Sequence, residues 1–314
     1  MKIAILDDYQ NVALGFADWD SLGAEIEVFT EHIEDQDDLV RRLDGCEVVV
    51  AMRERTRFDA GLLRRLPALR LLVSTGRRNA AIDLAAAGEQ GIVVCGTGYR
   101  AEPTVEHTWA LILAAARNLP AEERSVRAGG WQQAVGTGLA GRTLGLLGLG
   151  RLGARVAAIG QAFGMTTIAW SQNLTEEKAA EHGVTAVSKD ELFRGSDVLS
   201  VHLVLSDRTR GLVGAAELGA MRQGAILVNT SRGPIVDERA LLDTLRDNRI
   251  KCAALDVYDV EPLPADHPLR TAPNTILTPH IGYVTDNLYS VFYSDAVENI
   301  AGYLAGEPTR VMTP

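Results

Sequence analysis

Cysteine is scarce in this chain of 314 residues, with Cys46, Cys95 and Cys252 the whole set. The number is odd, the spacing is wide and no C-x-x-C occurs, so neither a disulfide framework nor a zinc site is suggested; no metal site is expected, and a reducing cytoplasm is the natural setting. Long apolar runs are missing as well. None approaches the ~18 residues of a membrane span, and the opening M-K-I-A-I-L-D-D places two acids where a secretion signal would still be apolar, so neither a leader nor a membrane partner is expected. Positive charge is in deficit, with 31 Lys and Arg against 41 Asp and Glu and a net charge of −10. A general nucleic-acid binder needs a basic footprint to displace counterions from phosphates, so that class is set aside. Any anionic ligand must be met by a local group of arginines. Sequence repeats and low-complexity segments are also absent.

What remains is the composition of an ordinary globular protein: 46% apolar and 23% charged residues can build a core and exclude a disordered chain. At this length two domains of roughly 100 to 200 residues are expected.

The organising stretch is Thr143 to Gly153, T-L-G-L-L-G-L-G-R-L-G. Leu144 to Leu147 is an apolar run fit for a buried parallel strand, and Arg151 to Phe163 follows with Leu152, Val156, Ile159 and Phe163 on one helical face. The glycines therefore sit at a strand-to-helix turn. In that setting Gly148 allows the tight turn, Gly150 lets the backbone approach a pyrophosphate, and Gly153 lets helix pack on strand. The free amides at the helix start, beginning with Arg151 and Leu152, would hold the phosphates.

In chain order, Lys2 to Leu6, Ile26 to Phe29, Val48 to Met52, Leu69 to Ser74 and Ile92 to Cys95 read as strands. Asp37 to Leu43, Phe58 to Leu66 and Ala80 to Gln90 read as helices between them, giving an open parallel α/β sheet. Arginines gather at the carboxyl ends of its strands, where such sheets bind ligands: Arg53 and Arg55 after the third, Arg77 and Arg78 after the fourth. Gly96-Thr-Gly98, read as a hinge, leads to a helix from Pro103 to about Asn118, striped by Val105, Trp109, Ile112, Leu113 and Ala116. A polar, glycine-rich linker, Arg127 to Gly138, precedes the fingerprint. Strands then recur at Thr167 to Trp170, Val198 to Leu203, Ala225 to Val228, Cys252 to Leu255 and Thr275 to Leu277, the pattern of a doubly wound dinucleotide domain. A last helix, about Asn287 to Ala305, is expected to return to the first domain.

Polar residues stand just past the later strands. Arg232 follows Ala225 to Val228, Asp256 and Glu261 follow Cys252 to Leu255, and His280 follows Thr275 to Leu277. An Arg, a carboxylate and a His beside a nicotinamide are what hydride transfer to a 2-keto acid requires. The planar fork of Arg232 can grip the substrate carboxylate and polarise the carbonyl. His280 can supply or remove the hydroxyl proton with Glu261 as its partner, and Asp256 is placed to accept from the cofactor. His107 and His202 are rivals for proton transfer, but neither has a carboxylate neighbour in an equivalent place; they rank as structural or cofactor-adjacent.

These segments carry a resemblance. G-L-G-R-L-G, H-L-V-L-S-D-R-T-R-G-L-V-G, N-T-S-R-G-P-I-V-D, D-V-Y-D-V-E-P and T-P-H-I-G, with T-V-E-H-T-W-A-L on the linking helix, make the chain resemble the D-isomer-specific 2-hydroxyacid dehydrogenase family from about Leu69 to Ala305. Within it the 3-phosphoglycerate dehydrogenase-like proteins are the most similar, without their C-terminal regulatory extension. The resemblance implies an NAD(P)-dependent oxidoreductase acting on the CH–OH group of a small 2-hydroxy or 2-keto acid. It implies two α/β domains, a Rossmann doubly wound dinucleotide domain over 99–285 and a flavodoxin-like substrate domain from 1–98 and 286–314, with a cleft between. Arg232, Glu261 and His280 become the catalytic set. NAD or NADP would be held by Gly148, Gly150, Arg151, Leu152, Gly153, Ser171, Gln172, His202, Thr230, Ser231, Asp256 and Gly282. The substrate would meet Arg53 and the segment Ser74, Thr75, Gly76, Arg77 and Arg78, and homodimers would form through a projecting arm of the dinucleotide domain.

Three departures stand out. Thr75-Gly76-Arg77-Arg78-Asn79 replaces a loop that often reads G-x-G, which favours an anionic substrate; Tyr283 replaces a small residue after the His and should narrow the pocket. Ser171 stands where an acid would bind the ribose diol of NAD, so both cofactors should serve, NADP preferentially if either. Two other classes share the resemblance: dinucleotide-sensing corepressors, for which no partner motif is present, and formate dehydrogenases, in which Gln is expected where this chain has Glu261.

Overall fold

The computed structural model describes residues 1–314. They fall into two compact units, one formed by Met1–Arg100 with Val284–Pro314 and the other by Ala101–Tyr283. No helix is long and apolar enough to cross a membrane.

In the first unit the order is β1 (Lys2–Ile5), β2 (Glu25–Val28), α1 (Gln36–Arg42), β3 (Val48–Ala51), α2 (Ala60–Arg64), β4 (Leu71–Ser74), α3 (Leu84–Glu89) and β5 (Val93–Gly96). The five strands are parallel in the order β2-β1-β3-β4-β5, the flavodoxin-like arrangement, with the order reversing between β1 and β3. Strands β3 and β4 are buried at every position, as expected where helices cover both faces of a parallel sheet. Each of the three helices opens on an aspartate that accepts from the amide three residues on: Asp35 from Asp38, Asp59 from Leu62 and Asp83 from Ala86. These caps explain why α2 and α3 start later than apolar periodicity alone suggests. Phe58 and Ile82, just before them, are extended and bridge in parallel instead.

The second unit contains α4 (Glu102–Arg117), α5 (Leu119–Arg127), β6 (Thr143–Leu147), α6 (Arg151–Ala162), β7 (Thr166–Trp170), α7 (Glu176–Ala180), β8 (Thr185–Ala186), α8 (Lys189–Gly195), β9 (Val198–Val201), α9 (Ala215–Ala220), β10 (Ile226–Asn229), α10 (Glu238–Arg246), β11 (Cys252–Leu255) and β12 (Thr275–Leu277). All seven strands are parallel, in the order β12-β11-β10-β9-β6-β7-β8. The order reverses at β6, which pairs with β7 on one side and β9 on the other, so the crevice of a doubly wound sheet opens at the carboxyl end of β6. Alternation divides the apolar residues between two faces: Leu144 and Leu146 pack with Trp109 and Val156, while Leu147 packs with Leu199 and Leu241.

Three expectations change. Helix α5 and the two-residue strand β8 are additional elements. In α6 the buried face is Gly153, Val156, Ala157 and Gly160, and Phe163 is 42% exposed, stacking on Trp109 at 5.0 Å. The helix lies so close to the sheet that a Cβ on Gly160 would come within 2.7 Å of Leu144, which leaves no room there for larger residues.

Helix α11 (Asp286–Leu304) belongs with the first unit and lies against β4, burying Leu288, Phe292, Tyr293 and Ile300.

Candidate active site

The first part of the site is the turn from β6 to α6. Gly148 has φ 106°, and a Cβ there would meet the His202 carbonyl at 2.9 Å; a Cβ on Gly153 would meet the Gly148 carbonyl at 2.2 Å. Only glycine fits at either place. Gly150 is the N-cap and, having no side chain, makes no side-chain cap to the start of α6. A helix start with its favourable dipole suits a pyrophosphate. At the end of β7, Ser171 is half-buried and Gln172 exposed, and no carboxylate stands at this turn. His202, past β9, lies 2.9 Å from the Ser200 hydroxyl through Nε2, and loss of solvation pushes its pKa down to about 4. It is therefore neutral near pH 7, which suits a cofactor-adjacent ring better than a proton donor.

Beyond β10 the chain ties itself into a turn that presents Arg232. Asn229 is 1% exposed; its Oδ1 accepts from the Ser231 amide at 3.0 Å and its Nδ2 donates to the Arg232 carbonyl at 3.0 Å. Arg232 Nη1 donates to the Ser231 carbonyl at 2.7 Å. The hydroxyls of Thr230 and Ser231 are engaged within the chain, with Thr108 Oγ1 at 2.8 Å and with the Leu203 carbonyl respectively.

The third part joins the loops after β11 and β12. His280 Nδ1 lies 2.5 Å from Glu261 Oε2, and Glu261 Oε1 accepts from the Tyr258 amide at 2.9 Å. Both carboxylate oxygens are thus placed, and the imidazole is oriented with Nε2 as its outward nitrogen. His280 has φ 54°, a left-handed backbone that costs a non-glycine residue about 1–3 kcal/mol unless its surroundings enforce it. They do so through Asp256, which is 1% exposed: Oδ1 accepts from Thr278 Oγ1 at 2.6 Å and from the Ile281 amide at 2.9 Å, and Oδ2 accepts from the Gly282 amide at 2.8 Å. His107 Nε2 lies 3.2 Å from the same Oδ1 and 3.0 Å from Thr278 Oγ1. Burial alone would push the Asp256 carboxyl up, but hydrogen bonds from His107, Thr278 and the Ile281 amide outweigh it and hold the pKa below the ordinary value. The oxygens of Asp256, which the sequence places to accept from the cofactor, also hold the His280 turn. Tyr258 completes the clasp, its hydroxyl donating to the Thr278 carbonyl at 2.9 Å, and the Tyr283 ring stands edge-on to His280 at 5.5 Å.

Sequence reasoning missed Asn229, Tyr258 and Thr278. The one available signal was a polar residue closing an otherwise apolar strand, as Asn229 does after Ile226 to Val228.

In the first unit Arg53 is drawn to the end of β4. Its amide donates to Thr75 Oγ1 at 2.8 Å and its Nη1 reaches the Thr75 carbonyl at 3.4 Å. Ser74 and Thr75 are fully buried, and Ser74 Oγ accepts from Asn79 Nδ2 at 3.0 Å. The Thr75 amide is taken by the Ala51 carbonyl and the Gly76 amide by Thr97 Oγ1 at 2.6 Å. Of the segment assigned to the substrate, then, Ser74 to Gly76 form framework, and the amides still open to a ligand are those of Arg77 and Arg78. Arg55 is turned elsewhere, donating to the Asp7 carbonyl at 3.1 Å and lying over the Tyr9 ring.

Comparison with known proteins accords with this arrangement. Residues 109–282, more than half of the chain, match the D-isomer specific 2-hydroxyacid dehydrogenase, NAD binding domain. The glyoxylate reductase of Aeropyrum pernix is 42% identical over 261 residues, covering 80% of this chain and 78% of that protein. A D-3-phosphoglycerate dehydrogenase of Archaeoglobus fulgidus is 35% identical over 313 residues, 99% of this chain but 58% of that one, so the chain spans little more than half of this relative's length. Among solved structures, a phosphoglycerate oxidoreductase from Vibrio cholerae O395 superposes with a TM-score of 0.93 at 40% identity, over 98% of this chain and 99% of the other. The protein is thus an NAD(P)-dependent oxidoreductase acting on CH–OH groups. The chain belongs to the D-isomer specific 2-hydroxyacid dehydrogenase family.

Proposed function

We propose that the chain interconverts a small 2-keto acid and its D-2-hydroxy acid, with Arg232, Glu261 and His280 as the catalytic residues. The observation that carries this reading is the 2.5 Å contact of His280 Nδ1 with a Glu261 carboxylate that Tyr258 holds from the other side. Glu261 fixes the ring so that Nε2 is the nitrogen that gives a proton to the carbonyl oxygen in reduction and takes it back in oxidation. Arg232, presented by the Asn229 turn, pairs with the substrate carboxylate and draws electron density from the adjacent carbonyl. The nicotinamide cofactor, when bound, supplies or accepts the hydride. In the first unit, the open amides of Arg77 and Arg78 support a substrate role for that segment. The handedness of the product is the test. Reduced cofactor, enzyme and a prochiral 2-keto acid should yield the D-isomer on a chiral column, and an L-product contradicts the reading.

We further propose that both NADH and NADPH serve, with NADPH the preferred one if either is. Ser171, Gln172 and Asn173 are neutral, so the repulsion that excludes a ribose phosphate is missing, and Lys178 in α7 is the nearest cation in sequence. Comparing kcat/KM for the two cofactors before and after Ser171→Asp tests this. The substitution sets a carboxylate against the phosphate and should shift preference toward NADH at least tenfold, about 1.4 kcal/mol. A wild-type enzyme that already rejects NADPH by more than about a hundredfold contradicts it.

A homodimer formed through the arm 119–138 is the third proposal. Helix α5 buries no side chain, and Leu119 (52%), Val126 (56%), Trp131 (72%) and Val135 (94%) are all exposed, an apolar set that water penalises unless a partner covers it. Light scattering should find twice the chain mass, and Trp131→Glu with Val135→Glu should produce the monomer. A wild-type monomer at micromolar concentration overturns the proposal.

A further inference from the structure

Helix α4 carries a polar face where it is most buried. Thr104, His107 and Thr108, spaced i, i+3 and i+4, share one side of it, and both threonines are buried. Thr108 Oγ1 donates to the Thr104 carbonyl and meets Thr230 Oγ1, each at 2.8 Å. His107 reaches further: its Nε2 lies 3.2 Å from Asp256 Oδ1 and 3.0 Å from Thr278 Oγ1, and a Cβ on Gly282 would stand 3.6 Å from its Cδ2. One helix face thus touches the loops that follow β10, β11 and β12.

The hydrogens at this contact can be counted. A carboxylate only accepts, and Thr278 gives its one hydroxyl hydrogen to Asp256 Oδ1 at 2.6 Å. The His107 nitrogen that faces both oxygens must therefore carry a hydrogen, whether the ring is neutral or protonated. His107 joins the Thr278 hydroxyl and the Ile281 and Gly282 amides as a donor to a carboxylate that is 1% exposed. Removing one donor from a buried charge costs more than the bond contributes. Burial pushes the Asp256 carboxyl up, and among the groups that bring it below its ordinary value the His107 hydrogen bond is foremost. The other titratable groups packed here are engaged elsewhere: the Tyr258 hydroxyl donates to the Thr278 carbonyl, and His280 lies against Glu261.

We propose that His107 is a positioning residue: its Nε2–H, presented by α4, keeps Asp256 an ionised acceptor, and Asp256 through the Ile281 and Gly282 amides keeps His280 in its left-handed turn. Nitrogen-15 NMR of histidine-labelled protein, with the His107 signals assigned by their absence in His107→Gln, should find hydrogen on Nε2. A neutral ring with its hydrogen on Nδ1 overturns the proposal. In carbon-13 spectra of carboxyl-labelled aspartate, His107→Leu should move the Asp256 titration up by about one pH unit or more, whereas His107→Gln, whose amide can donate from the same place, should leave it near wild type. An unchanged Asp256 midpoint in the leucine variant also overturns it.

A kinetic arm rests on the dehydrogenase reading. His107→Leu should lower kcat roughly tenfold or more with KM within about threefold, and should move the acid limb of kcat/KM up by about one pH unit as Asp256 protonates earlier; His107→Gln should recover most of both changes. A side chain that only packs would cost the same at every pH and be replaced by leucine at least as well as by glutamine. That pattern, or wild-type kcat in the leucine variant, overturns the proposal. Inactivity of the wild type with every 2-keto acid contradicts the dehydrogenase reading instead, and leaves the two NMR measurements to decide the role of His107.

Discussion

Replacing His280 with alanine should lower turnover by about 10²- to 10⁴-fold, the range for removing a positioned general acid and base, while cofactor affinity stays within a few-fold. The two quantities separate because the glycine turn after β6 and the uncapped start of α6 involve no atom of the imidazole. The left-handed backbone at His280 makes a second variant useful. Alanine at φ 54° could loosen the turn held by Asp256, whereas asparagine tolerates that conformation, so His280→Asn should keep the loop and still lose the proton transfer. Steady-state rates with cofactor binding followed by fluorescence read both variants. Turnover within threefold of wild type for either one contradicts the assignment.

Arg232→Lys should keep the positive charge and lose the fork. In the structure one arm, Nη1, donates to the Ser231 carbonyl at 2.7 Å. A lysine ammonium can satisfy the carbonyl or the substrate carboxylate but cannot match a planar pair of donors to both. The expected loss is about 1.5–3 kcal/mol in kcat/KM, the scale of a hydrogen bond to a charged group, or roughly 10- to 150-fold. Unchanged KM and unchanged turnover together place Arg232 outside the site.

The fold was legible where burial is simple. Apolar runs such as Leu144 to Leu147 and Cys252 to Leu255 are strands because a parallel sheet covered on both faces needs little but apolar residues, and the glycine turn between β6 and α6 is marked by steric demands that only glycine meets. Reading failed where tertiary context decides. Strand β8 has two residues and exists by pairing with β7; α5 has no buried face to give it an apolar period; and the glycines of α6 pack closest to the sheet while contributing nothing to a count of apolar positions. At the candidate site, Arg232, Glu261 and His280 could be singled out because each follows a strand of one sheet. Their support could not. The atoms that tie Asp256 to Thr278, Ile281 and Gly282 are separated by more than twenty residues, and Tyr258 and the Thr278 carbonyl by twenty, and spacing along the chain carries no sign of such contacts until the strands are laid side by side.

The most direct measurement is the absorbance of the reduced nicotinamide when NADH or NADPH is mixed with the purified chain and, in turn, glyoxylate, pyruvate, hydroxypyruvate and longer 2-keto acids. Loss of absorbance with at least one of them, abolished by His280→Asn, is the expected result. A folded protein that binds the cofactor and leaves the absorbance unchanged with every acid contradicts the account and points to a dinucleotide sensor.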